Sequence, residues 1–152
     1  MQQQSIPQPY HSNLTKRLVK TPKLYFLDTG LAAYLTKWNS AASLEAGSMS
    51  GAMVETWVVS EIVKSYRHNG LEGNFYFYRD TDQQEIDLII EVDDTLYPVE
   101  IKKTASPSQT VRRFFTPLQK LGKEVGHGAV LCFVERDIAL SPTVTAIPIG
   151  YL

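Results

Sequence analysis

The sequence is poor in the residues that build disulfide frameworks and thiolate metal sites. Its 152 residues include a single cysteine, Cys132, and three histidines spread along the chain. A lone cysteine excludes an intrachain disulfide, and together with scattered histidines it argues against a zinc site or a Cys–His nucleophile. Because Cys132 lies within the apolar run AVLCFV, we expect its thiol to be buried.

Long apolar runs, a strong net charge and a nucleotide-binding loop are also missing. No stretch could span a bilayer, and the opening MQQQSIPQPYHSNL is not a signal peptide, so we expect a cytoplasmic protein without a membrane partner. The formal net charge of −1 means that any nucleic-acid binding depends on local basic patches. Gly122-Lys123 is followed by Glu124, which rules out a P-loop there.

The length fits one domain with a substantial core. Residues 1–22 are rich in glutamine and proline, so we expect a tail or linker there and a domain over residues 23–152. Within that domain, LYFLD (24–28) predicts a short strand, and Asp28 can cap the helix that follows.

An amphipathic helix over residues 50–70 carries one charge on its apolar side. Helical spacing places Glu55 in the middle of the apolar arc, where an unpaired carboxylate costs several kcal/mol of desolvation. Two interpretations remain open: an ion pair with a buried arginine such as Arg79, or a functional carboxylate, which we favour. The side chains that form the apolar arc are Val58, Val59, Ile62, Val63 and Tyr66.

Three predicted strands follow this helix, and the last two form a hairpin. The strands are NFYFYRD (74–80), EIDLIIEV (85–92) and LYPVEIKK (96–103), with a two-residue turn at Asp93-Asp94. With that turn, paired residue numbers sum to 187. The register then pairs Asp87 with Glu100 and Glu85 with Lys102.

Strict alternation along the second strand predicts two faces, Ile86, Leu88, Ile90 and Val92 on one and Glu85, Asp87, Ile89 and Glu91 on the other. Like charges that face each other across two strands are destabilising unless a cation lies between them. A divalent ion, Mg²⁺ or Mn²⁺, is the natural candidate between Asp87 and Glu100. The alternative is a solvated charged face with an ordinary Glu85–Lys102 ion pair of little energetic worth.

The remaining pattern completes the fold class. Ser106 caps a helix whose apolar face is Val111, Phe114, Phe115, Leu118 and Leu121, and Gly128–Val134 reads as a buried strand. Residues 144–149 suggest an edge strand, since Pro142 and Pro148 limit its pairing. The order helix, three strands, helix, strand, with a β-α-β crossover, predicts an α/β (α+β) domain with a mixed central sheet flanked by helices.

Basic residues occur in two places that could contact DNA phosphates. The segment 11–23 carries Lys16, Arg17, Lys20 and Lys23, and the last predicted helix carries Arg112 and Arg113 close to Lys103. Solvation is the default role of such residues. The candidate DNA contacts are therefore Lys103, Arg112, Arg113, Lys16 and Arg17.

Four segments together resemble a known family. Glu55 on the first core helix, Asp87 after it and Glu100-x-Lys102 on the next strand resemble the PD-(D/E)XK nuclease superfamily. More closely, the chain resembles a C-terminal domain of unknown function in prokaryotic AAA+-type ATPases. The segments that carry this resemblance are PYHSNLTKRLVKTPKLYFLDTGL (9–31), VETWVVSEI (54–62), YRD…EIDLII (78–90) and YPVEIKK (97–103).

The resemblance implies a restriction-endonuclease-like αβββαβ core and a Mg²⁺-dependent phosphodiesterase that acts on DNA. Asp87, Glu100 and the Ile101 carbonyl would hold the metal. Glu55 would be a further ligand or would contact the ligands from behind. Lys102 would orient the attacking water or stabilise the transition state. One departure concerns the exonuclease branch: no Gln-x-x-x-Tyr follows Lys102, which weakens an exonuclease assignment.

In the resembling proteins an ATPase module and a winged-helix segment precede this region, so we expect a C-terminal piece without ATPase activity. A homodimer is a further expectation, because restriction-like nucleases often dimerise. Two rival functions stay open. One is a silent DNA-binding or protein-assembly module, docking DNA or the missing ATPase; the other is a structural domain that keeps the acids as ion pairs.

Overall fold

The protein is described by a computed structural model over residues 7–10, 23–38 and 40–152, with the backbone alone for residues 109–114. The helices there are α1 (Thr29–Leu35), α2 (Ala41–Ala46) and α3 (Ser50–His68), and two 3₁₀ helices span Gln109–Leu121 and Ile149–Tyr151. The strands are β1 (Gln8–Pro9), β2 (Asn74–Arg79), β3 (Glu85–Val92), β4 (Thr95–Ile101), β5 (Glu124–Val125), β6 (Gly128–Cys132), β7 (Ile138–Ser141) and β8 (Val144–Pro148).

A mixed sheet of eight strands forms the centre of the molecule. Its order is β1-β2-β3-β4-β6-β8-β7, with the short β5 also pairing with β4. Strands β2, β3 and β4 form an antiparallel meander, whereas β4, β6 and β8 run parallel. The connection from β4 to the parallel β6 contains the long helix, which confirms the predicted crossover and the mixed α/β class. The helix is 3₁₀ and begins at Gln109, not next to Ser106 as predicted.

Helices cover the two faces of this sheet, and each face has its own core. On one face, α3 packs its predicted apolar arc against β2, β3, β4 and β6, where Val58, Val59 and Val63 are almost completely buried. On the other face, the long 3₁₀ helix packs Phe115, Leu118 and Leu121 against the sheet. The buried Cys132 lies in this second core, as its apolar surroundings in the sequence predicted.

The β3–β4 hairpin forms as predicted. Its two turn residues, Asp93 and Asp94, have positive φ values of 48° and 63°, the backbone conformation that a tight turn of this kind requires. The paired residues run from Leu88–Val99 to Val92–Thr95 and keep the predicted register. Asp87–Glu100 and Glu85–Lys102 lie just beyond that ladder.

The predicted alternation along β3 is wrong at one point, because a β-bulge interrupts the strand. Between the pairs Tyr76–Ile89 and Tyr78–Ile86, two residues of β3, Asp87 and Leu88, stand opposite Phe77 alone. Ile86 and Ile89 therefore belong to the core under the 3₁₀ helix, while Leu88 belongs to the core under α3. The bulge brings Asp87 towards α3.

Three further expectations need correction. Residues 24–28 form no strand, although Asp28 caps α1 by accepting a hydrogen bond from the Leu31 amide at 2.9 Å. Strand β8 is not an edge, because β7 pairs along its outer side. Inside the predicted tail, residues 7–10 add β1 to the sheet and bury Tyr10; the rest of that tail lies outside the described residues.

No helix in the described part of the chain combines the length and apolar character needed to cross a bilayer.

The turn of the β3–β4 hairpin gives a test of the observed backbone. We expect Asp94→Gly to raise the free energy of unfolding by about 0.5–1 kcal/mol, because glycine adopts positive φ without a Cβ clash. The ion pair lost with Lys123 matters little, since the Asp94 side chain is 90% exposed. Urea denaturation measures the change. The matched control is Asp137→Gly at an exposed position with ordinary φ, which should be neutral or destabilising; equal effects would contradict the turn geometry.

Candidate functional site

Acidic and basic side chains from three parts of the chain meet beside the bulge in β3. The segment before α1 supplies a lysine, α3 supplies one carboxylate, and β3 and β4 supply the rest. This acidic cluster comprises Glu55, Glu85, Asp87 and Glu100, and its cations are Lys23 and Lys102.

Lys23 is the centre of the acidic cluster. Its ammonium nitrogen lies 2.8 Å from Glu55 Oε1 and 3.7 Å from Asp87 Oδ1, and it also forms an ion pair with Glu85. The side chain is only 13% exposed, and its charge lies 5.8 Å from the centre of the Phe77 ring. Burial by itself would lower the pKa of Lys23, but the carboxylates outweigh burial and raise it. Lys23 is therefore a partly buried ammonium group that is charged at neutral pH.

Glu55 has a second partner next to Lys23. The Tyr25 hydroxyl donates to Glu55 Oε1 at 2.9 Å and lies 3.5 Å from the carbonyl oxygen of Asp87. Burial and the charge of Glu55 raise the pKa of Tyr25, so the hydroxyl keeps its proton and remains a donor. The helix carboxylate is thus paired with a lysine and a tyrosine, and not with Arg79 as one of the two interpretations proposed.

Asp87 joins the two strands of the hairpin through its carboxylate. Its Oδ2 accepts a hydrogen bond from the Ile101 amide at 2.9 Å, directly beyond the last backbone pair of the β3–β4 ladder. The side chain is 10% exposed. Burial and the neighbouring Glu55 raise the pKa of Asp87, and the Ile101 amide, Lys23 and Lys102 only partly offset this.

Glu100 is the most deeply buried acid, with its side chain 3% exposed. One of its oxygens forms an ion pair with Lys102, whereas Oε2 is buried and finds no hydrogen-bond partner among the described residues. Burial and the charge of Asp87 raise the pKa of Glu100 to about 7. Burial would lower the pKa of Lys102, but Glu100 raises it, so Lys102 stays charged.

Glu85 differs from the other acids because it has two cationic partners. Arg79 contacts both of its carboxylate oxygens, at 3.0–3.2 Å, in addition to Lys23. Burial would raise the pKa of Glu85, but these two cations lower it. The alternative Glu85–Lys102 ion pair is therefore wrong, since each residue pairs elsewhere.

The acidic cluster offers carboxylate oxygens and one acceptor without a partner among the residues described. Carboxylate oxygens are the ligands that Mg²⁺ and Mn²⁺ prefer, and the unpaired Oε2 of Glu100 is a buried acceptor that still lacks a partner in the described structure. Among the described residues, no three His, Cys, Asp or Glu side chains form a ready metal-binding group. Lys23 lies between Glu55 and Asp87, where it supplies the positive charge.

The candidate DNA contacts lie apart from the acidic cluster or outside the described structure. Lys103 is exposed and donates to the Glu45 carbonyl at 2.6 Å and to Ser50 Oγ at 3.1 Å, which ties the end of α2 to the start of α3. Lys16 and Arg17 fall outside the described residues. The backbones of Arg112 and Arg113 lie in the long 3₁₀ helix, and their side chains are not described.

Sequence analysis brought out Glu55, Asp87, Glu100 and Lys102 but missed Lys23 and Tyr25 as site residues. In the sequence, Lys23 belongs to a basic segment whose default role is solvation, and Tyr25 belongs to a predicted strand. One signal could have found them: a carboxylate on the apolar arc of α3 needs a cationic partner, and Lys23 is a lysine next to an apolar stretch, LYFL.

The raised pKa of Glu100 predicts how stability changes with pH. Between about pH 4.5 and pH 7 the folded protein keeps a proton on Glu100 that the unfolded chain has released. The free energy of unfolding of the metal-free protein should therefore fall as pH rises, by up to about 3 kcal/mol from this group. The raised pKa of Asp87 also makes the free energy of unfolding fall as pH rises. The lowered pKa of Glu85 has the opposite effect on stability, and it acts only at more acidic pH.

Urea denaturation across that pH range measures the effect, with Glu100→Gln as the matched variant. The variant cannot ionise at this position, so its stability should change less with pH than that of the wild type. Parallel pH profiles for the two proteins would contradict the raised pKa.

Comparison with known proteins places the chain in a family. A model described as a domain of unknown function, DUF4143, matches residues 50–152, which contain all four acids of the cluster, and another of unknown function, DUF8612, matches residues 5–42, which contain Lys23. The chain is 31% identical over 142 residues to an uncharacterized protein of Mycobacterium bovis and to one of Mycobacterium tuberculosis. These matches cover 92% of this chain but 30% of each relative, so the chain spans less than a third of their length. No solved structure matches significantly. The chain belongs to the DUF4143 family.

Proposed function

We propose that this domain is a divalent-metal-dependent phosphodiesterase that acts on DNA. The observation that carries the proposal is the buried pair Asp87 and Glu100, both with raised pKa, beside the charged Lys102. Burial raises the pKa of both acids, and the charge of Asp87 raises that of Glu100 further. Burying two such carboxylates destabilises a fold, and this arrangement is typical of functional sites. The unpaired Oε2 of Glu100 is the acceptor that a metal ion would satisfy.

Four groups would hold the metal: the carboxylates of Asp87, Glu100 and Glu55 and the carbonyl of Ile101. Mg²⁺ or Mn²⁺, when bound, lowers the pKa of a water molecule and offsets negative charge on the phosphate. The Ile101 amide holds the Asp87 carboxylate in place at 2.9 Å, and Tyr25 holds Glu55 at 2.9 Å, so both acids are oriented before anything binds. Glu100 must give up its proton, so binding should tighten as pH rises through about 7.

Lys102 acts as a cation in this scheme. Its pKa is raised, so at neutral pH it cannot take up a proton as a general base. Its side chain is 43% exposed, whereas Glu100 is 3% exposed, so the ammonium group reaches from the buried acid towards solvent. A phosphate that approaches from solvent meets this charge, which stabilises negative charge in the transition state.

The order of elements supports the same proposal. Helix α3, strands β2, β3 and β4, the long 3₁₀ helix and, after the short β5, strand β6 follow one another along the chain, and the αβββαβ order that the resemblance implies is similar. Glu55 lies on α3, Asp87 on β3, and Glu100-x-Lys102 at the end of β4, as the resemblance leads us to expect. We further propose that the chain corresponds to the C-terminal part of an AAA+-type ATPase, without ATPase activity of its own. The chain matches 30% of the length of each relative, which is compatible with its being one part of a longer protein.

A second candidate is a binding or assembly module that retains the acids as ion pairs. Lys23 favours it, because one ammonium group already neutralises the carboxylates of Glu55, Glu85 and Asp87. An apolar cavity of about 730 Å³ on the α2–α3 side, lined in part by Leu44, Met53, Trp57 and Phe133, gives such a module a surface to use. Metal dependence separates the two candidates.

Thermal unfolding with Mn²⁺ tests the metal site. At saturating Mn²⁺, the wild-type Tm should rise by roughly 5–10 °C, since a ligand at a hundred times its Kd adds about 2.7 kcal/mol to the stability of a domain of this size. Asp87→Ala should abolish the rise. The matched control is Asp137→Ala, an exposed acid outside the cluster, which should keep it. The absence of any shift in the wild type would favour the assembly module.

Cleavage assays on linear and branched DNA with Mg²⁺ test the chemistry. Lys102→Ala should reduce cleavage by roughly 100-fold or more, because it removes charge stabilisation of the transition state. The same variant should keep its Mn²⁺-induced rise in Tm, since Lys102 is not a metal ligand. Lys120→Ala, an exposed lysine on the long 3₁₀ helix, serves as the control. Full activity in Lys102→Ala would exclude the proposed role.

A further inference from the structure

Lys23 has more charged partners than any metal ligand proposed above, and no role in the proposed chemistry. Its ammonium group contacts carboxylates from two elements, Glu55 of α3 and Glu85 and Asp87 of β3. It does so while 13% exposed, with Phe77 on one side. A lysine buried to this extent is stable only because the carboxylates replace the water it has lost.

We propose that Lys23 is a built-in counter-cation that occupies the cation position between Glu55 and Asp87, and that a divalent metal ion must displace it. This inference rests on the proposed metal site and adds a competitor to it. Without metal, Lys23 holds the carboxylates together; with metal, it withdraws from Glu55 and Asp87.

The distances make the two cations mutually exclusive. The ammonium nitrogen is 2.8 Å from Glu55 Oε1 and 3.7 Å from Asp87 Oδ1. An ion such as Mg²⁺ binds carboxylate oxygens at about 2.0–2.1 Å, so an ion on these oxygens would lie within a few ångströms of the ammonium group. Repulsion between a double and a single positive charge at that distance is strong in a site with little solvent.

The other contacts of Lys23 show how it can give way. Asp87 is its most distant partner, so that contact is the easiest to lose. Glu85 can keep Lys23 after the displacement, and Glu85 does not depend on it, because Arg79 already contacts both of its oxygens. Residues 23–28 belong to no helix or strand, so a shift of Lys23 breaks no ladder hydrogen bond.

The competition gives the domain a defined response to metal. In its absence the acids remain assembled and oriented, because Lys23 balances their charge. The apparent metal affinity of the wild type is therefore lower than the ligand set alone would give. Removing the charge of Lys23 should weaken the metal-free fold and strengthen metal binding, two effects of opposite sign from one substitution.

The experiment is a Mn²⁺ titration in which electron paramagnetic resonance counts the free ion. Lys23→Met keeps the length of the apolar stem beside Phe77 and removes the charge. It should bind Mn²⁺ about tenfold or more tightly than the wild type, the scale on which one charge a few ångströms away shifts a buried equilibrium. The matched control is Lys123→Met, which breaks an ion pair with Glu91 and Asp94 outside the cluster and should leave Mn²⁺ affinity unchanged.

Each result bears on the inference separately from the proposed function. Equal Mn²⁺ affinity of wild type and Lys23→Met, or no binding by any variant, would overturn the inference. Tighter binding by Lys23→Met without DNA cleavage by either protein would support it and count against the phosphodiesterase. DNA cleavage together with equal Mn²⁺ affinities of the two proteins would overturn the inference and support the phosphodiesterase.

A second variant covers the case in which Lys23→Met does not fold. Lys23→Arg keeps the charge, so its Mn²⁺ affinity should equal that of the wild type or fall below it. An affinity for Lys23→Arg clearly above the wild-type value would overturn the inference, because charge would then not be the quantity that competes with the metal.

Discussion

The contact of the Lys23 ammonium group with three carboxylates is the interaction on which the site depends. Glu55 comes from α3, and Glu85 and Asp87 come from β3. Without this cation, their like charges would repel each other where the helix packs against the sheet. Tyr25, two residues along, reinforces the same junction by donating to Glu55. A helix–sheet interface built from Val58, Val59 and Leu88 can therefore carry acids at its edge.

The bulge in β3 is the second constraint. It places Asp87 and Leu88 opposite a single residue, Phe77, so that Leu88 still packs under α3 while Asp87 reaches the Ile101 amide and Lys23. Bulges of this kind re-aim side chains at functional sites. Together with the burial of Glu100, it produces a pair of acids whose pKa values are both raised, and such strained electrostatics are typical of sites that bind or catalyse.

Much of the fold could be predicted from local patterns. The arc of α3, the Asp93-Asp94 turn, the register of the β3–β4 hairpin and the crossover to β6 all follow from periodicity and turn chemistry, which act over a few residues. The errors arose where distant elements decide. Residues 24–28 have the composition of a strand, but they pack against α3 without a strand partner. Strand β7 pairs with the outer side of β8, and no local pattern in the sequence predicts this pairing.

By itself the sequence determined that Glu55 is an acid on the apolar arc of a helix and that Asp87 and Glu100 are opposite each other in the hairpin, because helical periodicity and turn chemistry act over a few residues. Only the tertiary structure decided what stands between those acids. Lys23 lies 32 residues from Glu55 along the chain, and no spacing rule links them. The same holds for Asp87, whose direction follows from a bulge that depends on how β2 pairs with β3. Contacts of this range depend on packing, which a pattern of single residues does not record.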